Sequence, residues 1–82
     1  IPMLHEMTHL PVIVDPSHAS GIARLVKPMA LAATACGADG LMIEVHNDPA
    51  HAKCDGPQSL TPGAFEDLAE AVRRIKPFAY KA

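Results

Sequence analysis

Hydrophobic residues along this chain alternate between the spacing of a strand and the spacing of a helix. Residues 10–14 form a continuous apolar run rich in β-branched side chains, and residues 41–46 form a second short apolar run. Such runs are typical of strands buried on both faces of a parallel sheet. Residues 22–36 and 61–76 instead carry apolar side chains three or four positions apart, as on one face of a helix. The order strand, helix, strand, helix predicts an α/β fold with parallel strands and right-handed crossovers.

The apolar positions of the two predicted helices define the expected core. These positions are Ile22, Leu25, Val26, Met29 and Ala33 in the first helix, and Phe65, Leu68, Ala69, Val72 and Ile75 in the second. Cys36, at the end of the first helix, is also expected to pack in the core.

Proline and glycine residues mark where the predicted helices begin and end. Thr61 and Pro62 are typical of a helix start, because threonine caps the first turn and proline suits the first helical position. Gly37 and Pro77 are expected to end the two helices. Pro28 removes a backbone donor inside the first helix, so we expect a kink or a restart there.

Two strands and two helices are too few to enclose a parallel sheet. Both faces of such a sheet are apolar, and both of its edges would remain open. The chain begins with Ile1 rather than methionine, and residues 2–10 resemble the end of a helix without a start signal. We therefore expect a fragment of a larger barrel or sheet, whose remainder or a partner copy completes the core. A homo-oligomer is expected.

Composition and charge exclude several classes of protein. The 82 residues are 49% hydrophobic and 20% charged, with a formal net charge of −2, as in an ordinary globular protein. Basic residues are not in excess, so the charge does not indicate a nucleic-acid or membrane partner. No apolar run approaches the roughly 18 residues of a membrane span. Two cysteines without a secretory signal favour a cytoplasmic protein. Phosphate-loop, dinucleotide and serine-nucleophile motifs do not occur, so a nucleophilic hydrolase is not supported.

Three chemically capable side chains follow the predicted strands. His18 lies in the predicted loop 16–21, Glu44 lies near the end of the second strand, and Asp55 lies in the predicted loop 47–60. In α/β barrels and open sheets, the loops beyond the C-terminal ends of the strands form the active site. One imidazole and two carboxylates converging there would suit a divalent transition metal.

Each of these residues also has an ordinary structural interpretation. Glu44 interrupts an apolar strand, so its carboxylate must be protonated, bound to a cation or paired, for example with a lysine or arginine. His18 could be a loop histidine bonded to a backbone carbonyl. Asp55 precedes glycine and proline, where aspartate is a common turn residue.

The remaining histidines and the second cysteine carry weaker signals. His46 lies two residues after Glu44, so both point to one side if the strand continues, and it could be a ligand, a group behind a ligand or a phosphate contact. Cys54 could reach a metal or be a small packed thiol. His51 is expected to be solvated, and His5 and His9 are assigned no role.

Three motifs in order resemble the C-terminal part of 3-deoxy-7-phosphoheptulonate (DAHP) synthase. They are Asp-Pro-Ser-His at residues 15–18, Ile-Glu-Val-His at 43–46 and Cys-Asp-Gly-Pro-Gln-Ser-Leu at 54–60. The resemblance covers essentially the whole chain. It implies that residues 1–82 are the C-terminal portion of one domain. That portion would run from the end of the sixth helix through the last two βα units of a (β/α)₈ TIM barrel.

The resemblance also implies a reaction and a metal site. DAHP synthases condense phosphoenolpyruvate with erythrose 4-phosphate at the entry to the shikimate route. Their divalent cation, Mn²⁺, Fe²⁺, Co²⁺ or Zn²⁺, is held by a cysteine, a histidine, a glutamate and an aspartate. The last three correspond to His18, Glu44 and Asp55, with Asp55 also able to handle a proton. The second motif histidine corresponds to His46, a candidate catalytic residue.

One departure from the family pattern limits what this chain can do alone. The family's cysteine ligand and phosphate-binding Arg and Lys residues lie on earlier strands, and Cys54 is not at that cysteine's position. We therefore expect the isolated chain to be inactive. The alternatives are a 3-deoxy-octulosonate 8-phosphate synthase, which the family branch also resembles, or a non-catalytic truncated fragment that folds only by oligomerising.

Overall fold

The two predicted strands pair in parallel, as the order of the apolar runs indicates. The structure is a computed structural model that describes residues 1–52 and 56–81. In the strand pair, Ile13 is opposite Gly40 and Val14 is opposite Leu41. The elements in chain order are α1 (Pro2–Met7), β1 (Ile13–Val14), α2 (Pro16–Ser20), α3 (Ala23–Ala35), β2 (Gly40–Leu41), two 3₁₀ turns (Pro49–His51 and Gly56–Gln58), α4 (Pro62–Ile75) and a last 3₁₀ turn (Lys76–Phe78). The predicted α/β alternation is thereby confirmed.

Both strands are shorter than the apolar runs that predicted them. β1 covers only the last two residues of its run, and Pro11 could not have donated to a longer ladder. Beyond β2, the chain pairs again at an isolated parallel bridge between Val45 and Leu60. Among the described residues each strand has a neighbouring strand on one side only. The other edge of each strand therefore has no hydrogen-bond partner there that would lengthen the ladder.

The segment predicted as a loop at residues 16–21 is largely a short helix, α2. Asp15 caps it by accepting a hydrogen bond from the backbone N–H of His18. Pro16 occupies the first helical position, and Gly21 ends the helix with a φ of 65°. Five residues are too few for apolar periodicity, so only these end signals could have predicted the helix.

The two long helices lie where the spacing predicts them. α3 and α4 fall inside residues 22–36 and 61–76, and Thr61 Oγ1 accepts from the N–H of Ala64, 3.2 Å away. Pro28 does not restart α3, which continues through it between Val26 and Ala30, both fully buried. No helix in the described ranges is long and apolar enough to cross a membrane.

The core lies between α3, α4 and the helix-facing side of β2. Val26, Ala30, Leu60 and Leu68 are its buried residues, with Ala23, Leu41, Ile43 and Val72 packed against them. Among the other predicted core positions, Ala33 is buried, whereas Ile22, Met29 and Phe65 are exposed. Cys36 is exposed rather than in the core, because α3 ends at Ala35 and Cys36 lies in the following turn.

α1 is attached to the start of β2 by a histidine to which the sequence assigned no role. His5 Nε2 donates to the carbonyl oxygen of Gly37, 2.9 Å away, and lies 3.5 Å from Asp39 Oδ2. The same carboxylate oxygen accepts from the N–H of Val12 at 2.7 Å. Asp39 therefore connects α1, the approach to β1 and the approach to β2.

Candidate functional site

The His18 imidazole is oriented by Asp15, three residues before it. Asp15 Oδ1 accepts from the His18 backbone N–H at 2.9 Å, and Asp15 Oδ2 accepts from His18 Nδ1 at 2.6 Å. The backbone hydrogen bond from His18, with the ring hydrogen bond adding to it, lowers the pKa of Asp15 below its ordinary value. An ionised carboxylate only accepts hydrogen bonds, so the proton of the neutral ring lies on Nδ1 and the lone pair on Nε2.

Glu44 faces His18 from the segment that follows β2. His18 Nε2 lies 4.0 Å from Glu44 Oε1. The Glu44 side chain is 38% exposed, so the prediction that it is buried in a strand is wrong. The reason is that β2 ends at Leu41 and the face of the sheet away from the helices is uncovered among the described residues. Within these residues the ionisable side chain opposite Glu44 is His18, not a lysine or arginine, and the two form an ion pair only when the imidazole is protonated.

Ser17 connects the two sides of this pair. Its hydroxyl oxygen accepts from the backbone N–H of Glu44 at 2.9 Å, and the Ser17 residue is fully buried. The hydrogen bond joins α2 to the chain beyond β2, and the next residue after Ser17 is His18. The start of α2 therefore contacts both candidate ligands, through Asp15 at the His18 ring and through Ser17 at the Glu44 backbone.

His46 lies on the same extended segment as Glu44. Its backbone N–H donates to the carbonyl oxygen of Leu60, and the backbone N–H of Leu60 donates to the carbonyl oxygen of Glu44, each at 2.9 Å. His46 Nδ1 accepts from the backbone N–H of Asp48 at 2.8 Å, so the neutral ring carries its proton on Nε2. His51 is exposed, as expected, with Nδ1 donating to Asp48 Oδ2 at 2.7 Å.

The third predicted ligand, Asp55, and the neighbouring Cys54 lie outside the described residues. Within residues 1–52 and 56–81, no group of three or more His, Cys, Asp or Glu side chains is arranged to hold a metal ion. The described part of the candidate site is therefore the His18–Glu44 pair, with Asp15 bonded to the His18 ring and Ser17 bonded to the Glu44 backbone.

Comparison with known proteins assigns the chain to a family. Residues 1–79 match the family model described as the DAHP synthetase I family. The chain belongs to the DAHP synthetase I family. The resemblance inferred from the three motifs is confirmed.

Relatives of the chain carry two enzyme names. It is 41% identical over 75 residues to phospho-2-dehydro-3-deoxyheptonate aldolase of Thermotoga maritima, covering 92% of this chain and 22% of that protein. It is 38% identical over 87 residues to 2-dehydro-3-deoxyphosphooctonate aldolase of Desulfosudis oleivorans, covering 93% of this chain and 31% of that protein. The chain thus spans less than a third of the length of these relatives.

A solved structure shares the fold of the chain. It is a truncated form of 3-deoxy-D-arabino-heptulosonate 7-phosphate synthase from Thermotoga maritima, with a TM-score of 0.91 and 40% sequence identity. The match covers 94% of this chain and 29% of that structure. The α/β arrangement described above is therefore that of a part of a DAHP synthase.

The donor set of the described His18–Glu44 pair fits the divalent metal that this family generally uses. An imidazole nitrogen and a carboxylate oxygen are ordinary ligands of Zn²⁺, Fe²⁺, Mn²⁺ and Co²⁺. A carboxylate on the second ring nitrogen, as Asp15 provides, is the usual partner of a metal-binding histidine. The chemistry of the described pair is consistent with a metal site.

Two residues that shape this site were missed in the sequence. Asp15 and Ser17 belong to the Asp-Pro-Ser-His motif, but the sequence pattern points to neither of them as a site residue. The available signal for Asp15 was its position three residues before His18 and directly before proline, as in a helix cap. Nothing in the sequence indicates that Ser17 contacts Glu44.

Proposed function

We propose that this chain contributes the C-terminal part of a DAHP synthase, including three ligands of its divalent metal. The complete enzyme would condense phosphoenolpyruvate with erythrose 4-phosphate to give DAHP and inorganic phosphate, the first step of the shikimate pathway of aromatic amino acid biosynthesis. The observation that carries this proposal is the approach of His18 Nε2 to Glu44 Oε1 at 4.0 Å beyond the ends of two parallel strands. Family membership over residues 1–79 supports the reaction.

In this proposal the chain forms the last two βα units of a (β/α)₈ barrel. Parallel strands in such barrels present their active-site residues at the C-terminal ends, where His18 and Glu44 lie. The sheet face away from the helices carries Ile13 and Met42, which are 55% and 56% exposed. Further strands of the barrel would cover these apolar side chains. A homo-oligomer and a cytoplasmic location are also proposed.

Residues of this chain would hold the metal. His18, Glu44 and Asp55 would bind the cation, with Asp15 fixing the ring so that Nε2 offers its lone pair. When bound, the cation supplies Lewis acidity at the aldehyde oxygen of erythrose 4-phosphate. Carbon 3 of phosphoenolpyruvate attacks that aldehyde, water adds at carbon 2, and phosphate leaves.

Proton transfer would fall to the residues beside the metal. The neutral His46 ring carries its proton on Nε2, because Nδ1 accepts from Asp48, so it can donate to an oxygen of a substrate. Asp55 is the proposed group for handling a proton of the attacking water. The phosphate-binding Arg and Lys residues and the cysteine ligand would come from the rest of the barrel, so the isolated chain should be inactive.

A 3-deoxy-octulosonate 8-phosphate synthase is the second candidate. It would use a five-carbon sugar phosphate with similar chemistry. The 38% identity with 2-dehydro-3-deoxyphosphooctonate aldolase of Desulfosudis oleivorans is the observation that favours this second function. The motifs at residues 15–18 and 55–60 favour the heptulosonate enzyme instead.

A chimera tests both activities. The segment of the Thermotoga maritima DAHP synthase that matches this chain would be replaced by this chain, and phosphate release from phosphoenolpyruvate would be measured with erythrose 4-phosphate and with arabinose 5-phosphate. We expect metal-dependent release with erythrose 4-phosphate and none from the isolated chain. Preference for arabinose 5-phosphate would favour the second candidate. A folded chimera that binds Mn²⁺ but turns over neither sugar phosphate would contradict the proposal.

A further inference from the structure

We propose that Asp15 and Ser17 are positioning residues that together set His18 and Glu44 for one cation. The inference deepens the proposed function and rests on its metal site. Each residue fixes one member of the pair, Asp15 through the imidazole ring and Ser17 through the backbone of Glu44. Neither would touch substrate or metal.

Asp15 controls both the direction and the proton of the His18 ring. Its two carboxylate oxygens bind two different groups of the same residue, the backbone N–H at 2.9 Å and Nδ1 at 2.6 Å. The first bond fixes the start of α2, and the second fixes the ring relative to that backbone. Because the carboxylate only accepts, it places the ring proton on Nδ1 and keeps the Nε2 lone pair on the side of Glu44.

Ser17 replaces a missing strand contact beside Glu44. The β1–β2 ladder ends at Val14 and Leu41, although the N–H of Met42 still donates to Val14. The next backbone donor that points back toward the first strand is the N–H of Glu44, which the Ser17 hydroxyl accepts. A fully buried hydroxyl is a rigid acceptor, so this bond fixes how far Glu44 lies from His18.

A purely structural role is the competing explanation for both residues. Asp15 also caps α2, and Ser17 is packed in the interior. The test must therefore measure something that stability alone does not change. The tautomer of His18 is such a property, because it depends on which atom faces Nδ1.

Asp15→Asn separates the two roles of the carboxylate. The amide oxygen can still accept from the His18 backbone N–H, while the amide N–H₂ faces Nδ1 and can only donate. Heteronuclear NMR of labelled imidazole nitrogens in the full metal-free chain, at about pH 8 where histidine is neutral, should show the His18 proton moving from Nδ1 to Nε2. In the chimera, affinity for Co²⁺ should fall about 10- to 100-fold.

Asp48→Asn is the matched control. Asp48 also pairs with a histidine three residues later, with Oδ2 accepting from His51 Nδ1 at 2.7 Å, and that pair is exposed. Asp48→Asn should change the His51 tautomer but leave the Co²⁺ affinity unchanged. If Asp15→Asn leaves both the His18 tautomer and Co²⁺ affinity unchanged, the proposal is wrong. If the unsubstituted chimera binds no Co²⁺, the proposed metal site fails, while the tautomer measurement still tests the positioning by Asp15.

Ser17→Ala tests the second contact, with Ser20→Ala as its control. The Ser20 hydroxyl bonds only to nearby backbone groups of Ser17 and Ile22 among the described residues. Ser17→Ala should speed amide hydrogen exchange at Glu44 and weaken Co²⁺ binding several-fold, and Ser20→Ala should do neither. Unchanged exchange and affinity in Ser17→Ala would overturn its role. If Ser17→Ala does not fold, Asp15→Asn and Ser17→Cys, which keeps a weak acceptor, decide the proposal.

Discussion

His18 Nε2 and Glu44 Oε1 lie 4.0 Å apart, although one residue follows β1 and the other follows β2. The parallel pairing of Val14 with Leu41 makes this approach possible, since it brings the C-terminal ends of both strands to the same edge. The side chains are 47% and 38% exposed, so solvent would screen an ion pair between them. We therefore expect the pair to contribute little to stability, which leaves metal binding as its proposed role.

Glu44→Ala and His18→Ala should weaken metal binding without unfolding the protein. Each removes one proposed ligand from a half-exposed position, so the change in Tm should be small. Mn²⁺ affinity and phosphate release of the chimera should both fall by at least about tenfold. Glu70→Ala is a control, because Glu70 is exposed and pairs with Arg73 and Arg74 on α4. If Glu44→Ala retains activity and only lowers Tm, Glu44 has a structural role.

Substitution of two glycines by alanine should have opposite effects on stability. Gly37 has a φ of 94°, and an added Cβ would lie 2.5 Å from the carbonyl oxygen of Tyr80. Gly37→Ala should lower the free energy of unfolding by more than about 1 kcal/mol. Gly63 lies in the first turn of α4 with no atom within 4 Å of an added Cβ. Gly63→Ala should raise the free energy of unfolding by up to about 1 kcal/mol. Urea unfolding of the full chain measures both, and equal effects would contradict the assigned backbone conformations.

The sequence predicts which edge of the sheet carries His18 and Glu44 better than it predicts the hydrogen bonds that these residues make. Alternating apolar periods are enough to pair the strands, and parallel pairing is enough to bring His18 and Glu44 to one edge. The bond from Ser17 to Glu44 depends on the placement of a five-residue helix, which has no periodic signal. The exposure of Glu44 and of Cys36 depends on where β2 and α3 end, and element boundaries are the least predictable feature of a sequence.

Leu68→Ala should be among the more damaging substitutions in the described core. Leu68 is 2% exposed and packs with Val26, Ala30 and Leu60. Removing its side chain loses apolar burial and leaves a cavity between α3 and α4, which costs about 2–5 kcal/mol. Leu10→Ala makes the same chemical change at a residue that is 59% exposed and should cost less than about 0.5 kcal/mol. Equilibrium denaturation of both variants, with the slope compared to detect loss of two-state behaviour, tests the assigned core. Comparable losses at the two positions would contradict it.

The ion pair between Lys27 and Asp67 should contribute little to stability despite its short distance. Lys27 Nζ donates to Asp67 Oδ2 at 2.6 Å and so connects α3 with α4. The side chains are 43% and 67% exposed, so solvent screens the attraction, and ordering two flexible side chains opposes it. A double-mutant cycle with Lys27→Ala and Asp67→Ala should give a coupling free energy below about 1 kcal/mol. The coupling should shrink further as salt is raised from about 0.1 M to 1 M, because the Debye length falls from about 10 Å to 3 Å. A coupling well above that value and insensitive to salt would mean that the pair is shielded from solvent, and hence that another part of the protein covers this side of the α3–α4 contact.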